Sequence, residues 1–61
     1  MKIYKPIVYK NFLIILEQQD NGSIVAIATN LDDARDRVKK VYYGYPLSYV
    51  KAEIKLLIND T

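Results

Sequence analysis

The sequence predicts a small α+β domain in which a β-hairpin is followed by a helix and a third strand (ββαβ). Two apolar runs, residues 12–16 and 24–28, flank the segment Asp20-Asn21-Gly22-Ser23, which is the pattern of a hairpin. A segment with helical spacing and a segment of alternating polarity follow. We therefore expect a single domain over residues 1–61, with a three-stranded antiparallel sheet in the order 2-1-3 and one helix on one face.

The hairpin strands are predicted at residues 11–18 and 24–29. Asn21 and Gly22 suit the two positive-φ positions of a two-residue type I′ turn. That turn pairs Leu16 with Ile27 and fixes which side chains share a face. Residues 2–10 are predicted to be an edge or an irregular lead-in, because Pro6 lacks a backbone donor.

A helix is predicted from residue 30 to residue 43. Asn30 is a good N-cap, acidic residues come early and basic residues come late, and this order suits the helix dipole. Gly44 and Pro46 would end the helix. Its apolar stripe consists of Leu31, Ala34, Val38, Val41 and Tyr42.

Residues 48–58 fit two patterns. Apolar residues at 50, 52, 54, 56 and 58 alternate with Lys51, Glu53, Lys55 and Leu57, which favours a half-buried strand. Residues 47, 50, 54, 57 and 58 also form a helical stripe, and Lys, Ala, Glu and Leu favour helices. The strand is the preferred interpretation, and a right-handed crossover would place it beside the first strand.

Both hairpin strands are apolar on both faces, but one helix covers only one face. We expect that helix to bring Ala34 and Val38 over Ala26 and Ala28. The other face would be an interface with a second copy, most simply in a homodimer, unless residues 1–9 or 42–49 cover it. A chain of this size without cysteine gains stability chiefly by oligomerisation. The predicted interface residues are Phe12, Ile14, Leu16, Val25, Ile27 and Leu57.

The composition offers little for catalysis. The chain has no cysteine, no histidine and no glycine-rich phosphate loop, so we expect no enzyme, no catalytic residue, no metal and no cofactor. Its apolar runs are too short to span a membrane, and its start lacks a signal-peptide pattern. A net charge of +2 is only mildly basic. These features predict a cytoplasmic protein that does not contact the membrane.

The preferred function is a non-catalytic protein-interaction module that self-associates. It would bind or occlude a partner that is itself a protein, as a bacterial or phage accessory or inhibitor protein would. One alternative is weak binding of RNA or single-stranded nucleic acid through interleaved aromatic and basic residues. A second alternative is a small ligand held in a cleft of the oligomer. The residues predicted to contact a partner or nucleic acid are Tyr4, Lys5, Tyr9, Lys10, Tyr43, Tyr45 and Tyr49.

Overall fold

The computed structural model describes residues 1–60 and consists of a five-stranded antiparallel sheet with one C-terminal helix on one face. Strand β3 pairs with β4 on one side and with both β1 and β2 on the other, and β4 pairs with β5. The predicted three-stranded ββαβ sheet in the order 2-1-3 is therefore wrong. The elements are β1 (Lys2–Ile3), β2 (Ile7–Tyr9), β3 (Phe12–Gln18), β4 (Ile24–Asn30), β5 (Arg37–Tyr42) and α1 (Leu47–Asn59).

The hairpin of β3 and β4 is present, but its turn is longer than predicted. The backbone N–H of Gln19 donates to the carbonyl of Ser23 at 2.8 Å, and that of Gly22 donates to the carbonyl of Gln19 at 3.0 Å. The loop thus holds three residues and ends on Gly22 at φ 89°, as in a turn followed by a left-handed glycine. Leu16 faces Ala26, one residue away from its predicted partner. This shift moves every β4 side chain to the other face relative to β3.

A tight two-residue turn instead joins β2 to β3. Tyr9 pairs with Phe12, and the two residues between them, Lys10 and Asn11, have φ values of 46° and 65°. This is type I′ geometry, which the sequence predicts for the other hairpin. Asparagine tolerates positive φ better than most residues, and the side-chain amide of Asn11 also donates to Asp32 at 2.8 Å.

Strands β1 and β2 together form one edge of the sheet. Ile3 pairs with Glu17, and Ile7 pairs with Ile14. Three residues on this edge therefore oppose two on β3, which makes a bulge. The bulge contains a proline, in agreement with the predicted edge or irregular lead-in.

The segment predicted as the helix, residues 30–43, forms a loop followed by β5. The side-chain carbonyl of Asn30 accepts the N–H of Asp32 at 2.9 Å, and the carboxylate of Asp33 accepts the N–H of Arg35 at 3.1 Å. Each bond reaches two residues ahead, and such bonds compete with helix formation. The basic residues expected in a last helical turn lie on the edge strand β5 instead.

The segment predicted as the last strand is α1, so its helical alternative is confirmed. Val50, Ile54 and Ile58 are buried at intervals of four residues. Alternation would also bury Ala52 and Leu56, but both are exposed. Lysine, glutamate and leucine favour the helix, and Pro46 stands at its N-cap.

The core lies between α1 and one face of the sheet. Ala26 and Ala28 lie fully buried in that face, as predicted, but the helix that shares the core with them is α1. Small side chains at this point let a helix approach the sheet closely. The buried apolar residues are Phe12, Ile14, Leu16, Ile24, Ala26, Ala28, Tyr42, Val50, Ile54 and Ile58.

Candidate interaction surface

The side of the sheet opposite α1 is apolar, and none of the elements described for residues 1–60 packs on it. We call this surface the open face. The strand register defines which residues lie on this face. Glu17 pairs with Val25, and Val25 pairs with Val41. Along each strand, every second residue from these three points to the same face. Its centre is formed by half-buried side chains, and its margins by Ile3, Val8 and Val41, which are 58%, 66% and 41% exposed. The central residues are Leu13, Ile15, Val25 and Ile27.

Three charged residues share the open face. Glu17 lies on β3 at one end of the face. Arg37 and Lys39 lie on β5, opposite Thr29 and Ile27. Within residues 1–60 the ion pairs are the N-terminus with Asp20 and Arg35 with Asp33, so the charges of the open face have no ion-pair partner in the described chain.

The predicted interface residues divide between the two faces. Because of the register shift, the assignment of β3 to the left-over face is wrong: Phe12, Ile14 and Leu16 lie in the core beneath α1. Val25 and Ile27 lie on the open face. Leu57 is half-buried on α1 and packs against the core.

Sequence reasoning missed half of the open face. The predicted pairing of Leu16 with Ile27 places Leu13 and Ile15 on the same face as Ala26 and Ala28, beneath the helix. The predicted helix places Val41 in its apolar stripe. Counting three loop residues instead of two at Asp20-Asn21-Gly22 would have identified the β3 residues correctly. No local sequence pattern places Glu17 and Arg37 on one face, because that placement depends on the β3–β4 register and on the presence of β5.

One group of predicted contact residues surrounds Tyr9, near the C-terminal end of α1. The amines of Lys10 and Lys55 lie 5.7 Å and 5.3 Å from the centre of the Tyr9 ring. Both distances allow cation–π attraction. The Tyr9 hydroxyl donates to the side-chain carbonyl of Asn59 at 3.3 Å. Tyr9 is thus a partly exposed ring flanked by two positive charges.

A second aromatic group lies near the start of α1. The rings of Tyr45 and Tyr49 are stacked with centres 4.5 Å apart, and Tyr42 meets Tyr45 edge to face at 6.4 Å. The Tyr42 hydroxyl is buried and has no hydrogen-bond partner among residues 1–60. Burial, and then the nearby Glu53, raise the pKa of Tyr42 above its ordinary 10.0.

The predicted contact residues do not form one surface. Tyr9 and the Tyr45–Tyr49 stack lie near opposite ends of α1, which is roughly 20 Å long at 1.5 Å per residue. Tyr4 donates its hydroxyl to Gln18 at 2.7 Å, while Lys5 and Tyr43 are exposed. A ligand covering all of these residues would have to span the helix.

Comparison with protein-family models, curated proteins and solved structures gives no match. Residues 1–60 contain no pocket and no group of three or more acidic side chains arranged to hold a metal. In the same range, no helix has the length and hydrophobicity needed to cross a membrane.

The loop before β5 holds one carboxyl group with a shifted pKa. Hydrogen bonds donated by the Arg35 side chain and, to a lesser extent, by the Arg35 backbone N–H keep the pKa of Asp33 below its ordinary 3.8.

Proposed function

We propose that this chain is a small, non-catalytic protein-interaction module of the cytoplasm that self-associates through its open face. The observation that carries the proposal is a hairpin apolar on both faces, with α1 packed on only one of them. An apolar surface with charges at its margin is typical of a protein-interaction site. The same surface could bind or occlude another protein, as bacterial or phage accessory proteins do.

The size of the open face favours a reversible contact. Seven-residue strands are about 23 Å long, and four strands are about 19 Å wide, so two stacked copies bury roughly 900 Å² in total. This area lies near the lower limit of about 1,000 Å² for a specific interface. If about 600 Å² of it is apolar, the gross gain is about 15 kcal/mol. Subtracting the association cost of about 4–15 kcal/mol leaves a net gain between about 0 and 11 kcal/mol.

Sedimentation equilibrium over a concentration series up to about 100 micromolar tests the proposal. The wild-type chain of 7.1 kDa should approach twice that mass. Ile27→Lys, at the centre of the open face, should remain monomeric with unchanged helix content by circular dichroism. Leu56→Lys is the matched control, because Leu56 is 57% exposed on the outer side of α1, and it should dimerise like the wild type. A wild-type chain of monomer mass throughout would refute self-association.

The surroundings of Tyr9 support a second candidate, weak binding of single-stranded nucleic acid. Lys10 and Lys55 could neutralise phosphates on either side of a base stacked on the Tyr9 ring. Fluorescence anisotropy with a labelled single-stranded oligonucleotide should show binding that weakens steeply with salt. Lys55→Ala should reduce the affinity, whereas Lys40→Ala, on the edge strand, should not. Absence of binding at low salt would exclude this candidate.

A further inference from the structure

The charges of the open face are arranged so that a second copy can pair Glu17 with Arg37. On the pleated lattice, residues on one face lie about 4.8 Å apart between neighbouring strands and about 6.8 Å apart along each strand. Glu17 and Arg37 lie two strands apart and at opposite ends of the face. They are therefore about 17 Å apart, and Ile27 lies at the midpoint between them.

We infer that two copies pack open face to open face about a two-fold axis over Ile27, so that Glu17 of each copy meets Arg37 of the other. This inference rests on the proposed self-association and names its partner and its orientation. A two-fold contact is made by the same patch on both copies. A residue at the midpoint of an opposite-charge pair therefore meets itself, while the two charges exchange partners. Two Glu17–Arg37 contacts form in each dimer.

Other two-fold arrangements leave charges unpaired. An axis parallel to the strands between β3 and β4 would place Glu17 over Val25 of the second copy and bury a carboxylate against a methyl group. An axis across the strands through Ile27 would place Lys39 on its own equivalent. The diagonal axis avoids both, and it places Lys39 within reach of the same Glu17. The strands of the two copies would then cross at roughly 70°, nearer to orthogonal than to aligned sheet packing.

Charge reversal tests the orientation by sedimentation equilibrium. Glu17→Lys and Arg37→Glu should each weaken the homodimer by roughly tenfold or more, because each replaces two attractive contacts by two repulsive ones. An equimolar mixture of the two variants should dimerise again, because both contacts in the mixed dimer then join opposite charges. The double variant should also dimerise with itself. Lys40→Glu, on the same strand but on the opposite face, should leave the dimer unchanged.

The outcomes separate this inference from the function on which it rests. Recovery in the mixture but not in either variant alone supports the two-fold axis over Ile27. A wild-type dimer that is insensitive to both reversals, or a mixture without recovery, overturns the orientation and leaves self-association standing. A monomeric wild type overturns both.

Discussion

The packing of α1 on the sheet can be tested with one deletion in its core. Ile54 is fully buried, in the middle of the only helix among residues 1–60, and Ile54→Ala removes three carbon atoms. At about 0.8 kcal/mol per carbon the transfer term alone is about 2.4 kcal/mol. The remaining cavity raises the expected loss to about 3 kcal/mol, within the usual range of about 2–5 kcal/mol.

This loss is large for so short a chain. A domain of this length has a total stability of roughly 3–9 kcal/mol at about 0.05–0.15 kcal/mol per residue. Urea unfolding followed by circular dichroism should show the midpoint falling by about 2–3 M, with a slope of roughly 1 kcal/mol per M. All variants are compared at one protein concentration, because the proposed self-association would add to the apparent stability.

Leu56→Ala is the matched control on the same helix. Leu56 is exposed, and alanine is a good helix former at this position. The free energy of unfolding of Leu56→Ala should therefore stay within about 0.5 kcal/mol of the wild-type value. Equal effects of the two substitutions, or a larger effect of Leu56→Ala, would show that α1 does not pack through its 50-54-58 stripe.

Three further substitutions test single features. Tyr42→Phe should raise the free energy of unfolding, because the buried hydroxyl has no hydrogen-bond partner among residues 1–60. The pKa of Tyr42 is raised in the folded state, so wild-type stability should fall as the pH rises above about 10. Thermal melts at alkaline pH should show that the variant lacks this contribution. Lys10→Gly should raise the free energy of unfolding, measured in urea, by up to about 1 kcal/mol, because glycine adopts φ 46° without strain. A variant less stable than the wild type would refute the left-handed turn. Asn30→Ala should cost about 1 kcal/mol in thermal melts through loss of the bonds to Asp32 and Asp36, and an unchanged melting temperature would refute their role.

The strongest local patterns predicted the two central strands. Residues 12–16 and 24–28 are apolar and rich in branched side chains. The first run lies in β3 and the second lies in β4. The prediction of one covered and one uncovered face also depended only on these residues. The assignment of side chains to faces required the loop length, and a difference of a single residue reversed it.

The segment predicted as a helix contains strand β5, and the segment predicted as the last strand is helix α1. The two predictions failed for separate reasons. Val50, Ile54 and Ile58 are spaced by four, which is both an even number and close to one helical turn, so they fit both periods. Ala52 and Leu56 belong only to the strand pattern, and Leu47 and Leu57 belong only to the helical stripe. The exposure of the first pair and the packing of the second pair are visible only in the fold. In the other segment, the asparagine and aspartates that resembled a helix cap bind backbone groups within the loop.

The two outer edges of the sheet differ from each other in a way that limits how chains can assemble. One edge is divided into two short strands by a bulge with Pro6, so it offers no continuous row of hydrogen-bonding groups to another strand. The other edge, β5, carries Arg37, Lys39 and Lys40, and like charges would face each other if a second β5 were added. These edges thus disfavour growth of a fibril by strand addition, and the proposed contact between copies would use the face of the sheet, where a two-fold contact closes after two chains.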